Sequence, residues 1–501
     1  MPGERALAYQ VDARVWLGEE RQRQKRPVML DSIPASTLDA VADLGFRWLW
    51  LVGLWETSLA SRGVSRRSAL RLEEFREALP DLTLEDIVGS PHAVKEYRVS
   101  PELGGEEALE ALRADLAQRD LRLLVDFVGN QVGLDHPWVL EHPEFFIQGK
   151  DGDAATSPGA FWYVPGGPWL AHGAGPGSSP WPDTLQLNHQ HSGLRAALWV
   201  EIEKVAAMAD GIHCVNAALV SPNSISRTWG ERAVPADGSP PARGPFWPEA
   251  ISRIRAIHPR FVFACDAQSG QLAAEEEESF DYLSDAPLRD VLRLEDASLV
   301  RKCLSAQLGG GNRWLRSLES HGGARAARTF RPEVLPAAAL IEYLAPGLGS
   351  FHDGQIDGRR KGHNVHLSRR PEEPVDRELR GFHEALLEVL RRPEVDLGQW
   401  ELPEVRPAWE GNSTWESFIV GFHRGSSREV LLSAVNFGPK QAQCFVDLSR
   451  LDPAGREWTF QDLLSVAMYV RDGADLAARG LYLDLPPWDY NVFEVTPARA
   501  A

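Results

Sequence analysis

Eight short runs of apolar, β-branched and aromatic residues recur along the first 352 positions, at 13–17, 46–53, 121–128, 211–217, 261–267, 281–285, 315–319 and 348–352. Helical stretches such as 105–119, 193–209 and 247–257 lie between them. Strand-type runs alternating with helix-type runs are what a parallel sheet of βα units requires, because parallel neighbours need a crossover between them. Leu121-Arg122-Leu123-Leu124-Val125 is almost continuously apolar, as expected of a strand covered on both faces. Eight such units predict a TIM (β/α)8 barrel.

The pattern changes after a helical stretch at 376–392. Strand-type segments at 417–423, 429–437, 444–448, 457–463, 480–485 and 491–495 then follow one another with no helices between them, which predicts an antiparallel β-sandwich. A chain of 501 residues is too long for one ordinary core. The expected division is a barrel over 1–395 and a sandwich over 396–501. Residues 130–192, after the third run, are rich in Gly, Pro and Trp, as in Gly166-Gly167-Pro168-Trp169 and Ser178-Ser179-Pro180-Trp181-Pro182. A stretch this long without clear periodicity reads as an inserted loop subdomain over the barrel mouth.

A net charge of -18 argues against nucleic acid or an anionic membrane as partner. The run Glu275 to Glu278 reads as an exposed helix face. Four cysteines make no disulfide framework, and Cys214 and Cys265, inside apolar runs, are expected to be buried free thiols. Met1 to Gln10 lacks the apolar core of a secretion signal, and no apolar run reaches the roughly 18 residues that span a bilayer. A cytoplasmic location is the expectation.

The chemistry-bearing motifs arrive in order on successive strand-type runs. They are Gly89-Ser90-Pro91-His92, Asp126-Phe127-Val128-Gly129-Asn130-Gln131, Asp210-Gly211-Ile212-His213-Cys214-Val215-Asn216-Ala217, Phe263-Ala264-Cys265-Asp266-Ala267-Gln268 and Leu318-Glu319-Ser320-His321-Gly322. Phe351-His352-Asp353-Gly354-Gln355 and Gly358-Arg359-Arg360 close the series. Together they resemble the α-amylase family, glycoside hydrolase family 13, over nearly the whole chain. The resemblance implies a barrel with a C-terminal sandwich, α-glucan chemistry, and loop aromatics that either stack on sugar rings or merely anchor the insertion.

Where this family carries its nucleophilic aspartate the chain has Val215, and the transition-state stabiliser has become Gly322. The acid/base glutamate corresponds to Asp266, one methylene shorter, which withdraws the carboxylate by about 1.5 Å. Of the sugar-binding positions His321 is kept, while the others have become His92, Gln131 and His213. Retaining hydrolysis needs a carboxylate nucleophile about 5–5.5 Å from a carboxylic acid. Strand alternation is expected to point Asn216 away from that face.

The resemblance therefore implies a pseudoenzyme that binds an α-glucan, an oligosaccharide or a protein partner without cleaving glycosidic bonds. The alternative is a hydrolase or transferase with altered chemistry, using Asp266 as acid/base with His213 and His321. An inverting route would add Glu319 or Asp126, Glu319 being expected on the same strand face as His321. No cofactor is expected. A calcium site involving Asn130, with Asp210 as weak support, stays open, and His92, His213, Asp266 and His321 read as polar infill before they read as metal ligands.

Overall fold

A computed structural model describes residues 5–498 except 151, 158 and 426–429. Glu429, the expected start of one sandwich strand, and the first four residues lie outside the described set.

Eight parallel strands close a barrel in chain order: β1 (Leu7–Asp12), β2 (Trp48–Val52), β3 (Arg122–Val128), β4 (Gly211–Val215), β5 (Val262–Cys265), β6 (Tyr282–Ser284), β7 (Trp314–Arg316) and β8 (Leu348–His352). Their inward side chains, among them Ala8, Trp48, Trp50, Leu124, Ala264, Tyr282, Leu315 and Leu348, fill the barrel as one apolar cluster. Outward residues such as Leu49, Leu51, Leu123, Val125, Ile212 and Phe263 pack under the helices. Burial on both faces explains why the strands read as continuous apolar runs.

One expected strand is a helix. Residues 13–17 open helix Ala13–Gln24, and the first barrel strand lies just before them. The physical reason is Asp12, whose carboxylate accepts the backbone N–H groups of Arg14 (3.0 Å) and Val15 (3.0 Å) and so caps a helix start. The seventh strand also ends earlier than expected, at Arg316, which leaves Glu319 and His321 in the loop beyond it rather than on one strand face.

The insertion contains an antiparallel sheet, in the order Gln131–Gly133, Trp181–Gln186, Trp169–Gly173 and Phe161–Tyr163. Its strands are short and carry a register shift at His172/Gly173, so no period of two accumulates in the sequence.

The C-terminal region holds β9 (Gln399–Glu401), β10 (Val405–Pro407), β11 (Phe418–Arg424), β12 (Val430–Asn436), β13 (Ala442–Val446), β14 (Glu457–Asp462), β15 (Met468–Asp472), β16 (Leu481–Leu485) and β17 (Tyr490–Pro497). These make a six-stranded sheet, β9-β11-β12-β17-β14-β15, against a three-stranded one, β10-β13-β16. Phe418, Val420 and Phe422 face the sandwich interior, while the alternate Ile419 belongs to the barrel's core. Three strands beyond the six expected are present, two of them only three residues long.

The acidic run forms helix Ala274–Ser279, but Glu276 is buried rather than exposed, its carboxylate accepting the N–H of Ala273 (3.3 Å). Cys214, Cys265 and Cys444 are buried free thiols and Cys303 is a partly buried one. Among the described residues no helix is long and apolar enough to cross a membrane.

Candidate functional site at the barrel mouth

Register places Asp126 of β3 directly opposite His213 of β4, both on the inner face. The Oδ1 atom of Asp126 accepts a hydrogen bond from Trp50 Nε1 (2.9 Å) and faces His213 Nδ1 at 3.2 Å, and the indole and imidazole rings sit 4.4 Å apart. Its Oδ2 atom is buried and has no partner. Burial pushes this carboxyl up, but its neighbours, the His213 hydrogen bond foremost, hold it below the usual carboxylate value. Asp126 is therefore an anion at neutral pH with one free oxygen.

Two imidazoles face it. His92 sits in the turn before strand Val94–Val99, where its backbone N–H donates to Ser90 Oγ (3.1 Å) and its Nε2 is buried without a partner. His321 follows β7 and is gripped by Gln10 of β1, whose amide nitrogen lies 3.2 Å from His321 Nδ1 and whose oxygen accepts the His321 N–H at 3.3 Å. The two rings stand edge-to-face, 5.8 Å apart. Burial lowers both, His321 to about 3, so each imidazole is neutral near pH 7.

The three positions to which the resemblance assigns hydrolysis look different. Val215, at the end of β4, is 6% exposed and part of the apolar core. Gly322 is exposed on a turn, with open space where a side chain would begin. Asp266 is a carboxylate, but both oxygens are occupied: Oδ2 accepts the Asn216 N–H (2.7 Å) and Oδ1 the Ala217 N–H (3.1 Å). It thus anchors the end of β4. Asn216 adopts a left-handed backbone (φ 58°), and its side chain turns back to donate to Gln131 Oε1 (3.3 Å) instead of pointing away from the mouth as alternation predicts. Gln131 is itself inside, also accepting from Asn130 Nδ2 (2.8 Å), so it belongs to an amide network rather than to a sugar-facing surface.

Asp266→Ala is expected to destabilise the protein by about 1–3 kcal/mol, because two backbone donors lose their acceptor. Urea unfolding checks this; an unchanged midpoint would show that the two bonds carry no weight.

Glu319 is equally committed. It is 2% exposed and accepts from Arg325 Nη1 (2.6 Å) and the Ala326 N–H (2.6 Å), with His352 Nδ1 at 3.5 Å. It is a structural anion, not a base for water. Asp353, just past β8, accepts from Tyr9 (2.5 Å) and Arg370 Nη2 (2.6 Å). Burial pushes its carboxyl up, but Arg370 and Tyr9 more than reverse this and hold it far below the usual value. A depressed folded value contributes stability that is present above the unfolded value of about 3.9 and lost as pH falls below it. Asp353→Asn is accordingly expected to lower stability at pH 7 and to flatten its decline below about pH 4, measured by denaturant unfolding across pH; parallel profiles for the two proteins would contradict this.

A calcium ion does not fit the residues considered for it. Asn130 Oδ1 already accepts Gln186 Nε2 (2.9 Å). Asp210 lies before β4, at the opposite end of the barrel, bonded to Arg113 Nη2 (2.7 Å) and the Leu123 N–H (2.8 Å). A cleft of about 620 Å³ opens at that same end, lined by Arg113, Asp210, His258 and Arg260, away from the mouth.

The structure thus gathers His92, His213 and His321 around Asp126, and sends Gln131 and Asp266 into packing roles. Trp50 and Gln10 were missed as site residues. For Trp50 the signal was present, since Trp48 and Trp50 alternate across Leu49 on one strand.

No protein-family model matches the chain. Over 238 residues, 46% of its length, it is 26% identical to an α-1,4-glucan:maltose-1-phosphate maltosyltransferase of Burkholderia pseudomallei (strain K96243); the match spans only 16% of that protein. Solved structures match almost end to end. A noncanonic maltogenic α-amylase of Thermotoga neapolitana superposes with TM-score 0.69 at 14% identity, covering 98% of both chains. An α-amylase of Lactobacillus plantarum gives 0.66 at 18%, again over 98% of both, and a debranching enzyme of Nostoc punctiforme 0.61 at 18% over 98% of both. The chain has the α-amylase-family fold, as its motifs implied.

Proposed function

We propose that this chain is a divergent α-amylase-family protein of α-glucan metabolism that binds a glucan or oligosaccharide at the barrel mouth without hydrolysing it. The family reading rests on the ordered motifs, the end-to-end fold match and the local similarity to a maltosyltransferase. The non-hydrolytic reading rests on one observation: Asp266, the single carboxylate among the three catalytic positions, has both oxygens committed to the backbone of Asn216 and Ala217. Two backbone amides hold this carboxylate against the end of β4, so aiming a proton at a leaving group competes with those bonds, and Val215 offers no covalent route. The half-buried imidazoles of His92 and His321, with Gln10 behind them, offer donors and acceptors for sugar hydroxyls.

Calorimetric titration with maltoheptaose, with product analysis of the same sample, tests both halves. Heat of binding without products is expected, and His321→Ala should weaken the affinity about tenfold, the value of one or two lost hydrogen bonds. Absence of heat across millimolar ligand would refute sugar binding. Products that disappear in Asp266→Ala would refute the non-hydrolytic reading and favour altered hydrolytic chemistry.

A further inference from the structure

At the centre of the mouth, Asp126 Oδ2 and His92 Nε2 are both buried and both without a partner, and their two residues cluster with His321. One donor atom from each of the three residues lies within 4.8 Å of the other two. A buried polar atom without a partner costs free energy that a partner would offset, and these two belong to residues that cluster with a third donor. Two residues carrying such atoms beside a third donor are placed to share one electrophile.

We propose that His92, Asp126 and His321 form a binding site for a divalent transition-metal ion. Two imidazoles and one carboxylate are a mixed nitrogen and oxygen set, suited to zinc or iron(II) and not to calcium or magnesium, which prefer oxygen alone. The set read from the sequence loses His213 and Asp266, and gains Asp126. His213 instead takes an outer position: it and Trp50 hold Asp126 Oδ1, which leaves Oδ2 facing the two rings. Gln10 performs the same service for the His321 ring. Such outer partners orient the ligands of metal sites.

The donor atoms lie within 4.8 Å of one another, against the roughly 3.4 Å edge of a tetrahedron with metal–ligand bonds of about 2.1 Å. Ring rotation can bring donors at that upper bound to the tetrahedral edge. Both rings sit on segments outside the barrel strands, the turn before Val94–Val99 and the loop after β7, while the carboxylate is fixed on β3. Three protein ligands leave coordination positions open toward the mouth, where water or hydroxyl oxygens of a bound sugar would fit. The proposal does not depend on sugar binding and is tested without sugar.

The experiment uses tag-free protein stripped with EDTA, titrated with Zn2+ against a chromophoric chelator and separately with Co2+ while the visible spectrum is recorded. One Zn2+ per chain and a d–d absorption band of bound Co2+ are expected. His92→Ala and His321→Ala should each weaken Zn2+ at least a hundredfold, and His213→Gln about 10–100-fold through its hold on Asp126. Circular dichroism establishes that each variant is folded, and His92→Gln or His321→Gln replaces the corresponding alanine variant if it is not. Substoichiometric uptake, or an affinity that survives both alanine variants, overturns the site, and neither result bears on glucan binding.

Discussion

Maltooligosaccharide turnover by the purified protein is expected to lie on the order of 10⁶-fold below that of an active enzyme of this fold. Removing a covalent nucleophile alone costs about that much in turnover in a serine hydrolase. On the resemblance the sequence carries, Val215 stands at the nucleophile position and Gly322 at that of the anion offsetting an oxocarbenium ion, while Asp266 is drawn onto the backbone of Asn216 and Ala217. Groups that act as a unit do not add, so losing the second and third need not multiply the deficit. The same logic fixes the result of a repair. Val215→Asp by itself should leave the rate at background, because the restored carboxylate has no acid within reach. Release of reducing ends from maltoheptaose measures both, and a gain of a thousandfold or more in the single variant would show that Asp266 is free to act.

Glu319→Ala is expected to have the largest effect on stability, a loss of about 3–5 kcal/mol. Arg325 and Glu319 are both almost wholly buried, so truncating one leaves the other's charge unpaired in a medium that cannot solvate it. Arg325 would retain the Asp353 carbonyl (2.9 Å) and His352 (2.8 Å), but neither is an anion. Removing both charges, as Glu319→Met with Arg325→Met, should cost less than the single change, because no orphan ion remains. Urea unfolding of the wild type, Glu319→Met, Arg325→Met and the double variant gives the coupling energy. A double variant weaker than Glu319→Ala would mean that Arg325's carbonyl bonds outweigh the ion pair.

Much of the barrel was legible because strands covered on both faces must be apolar throughout, and helices between parallel strands must be amphipathic. The mistaken strand at 13–17 shows the limit of that signal. Ala13, Val15, Trp16 and Leu17 are buried in a helix as they would be in a strand, and only Asp12's side-chain cap separates the two readings. At the site, residue types were legible and directions were not. Asn216 escapes strand alternation because its backbone is left-handed, and Asp266 turns to the neighbouring strand's end because two backbone amides there take both its oxygens. Both depend on local geometry between β4 and β5, to which periodicity is blind. The insertion's sheet was missed for another reason: its strands are held by hydrogen bonding to one another rather than by alternating burial.

A retaining mechanism passes through a covalent glycosyl-enzyme, so the most direct measurement is to look for one. The protein is incubated with 5-fluoro-α-glucosyl fluoride, beside an active α-amylase-fold hydrolase as control, and the intact masses are recorded. An unchanged mass for this chain, with the control labelled, is the predicted result. A single fluoroglucosyl adduct on this chain would contradict it, because a nucleophile would then exist at a mouth where Val215 and Gly322 supply none.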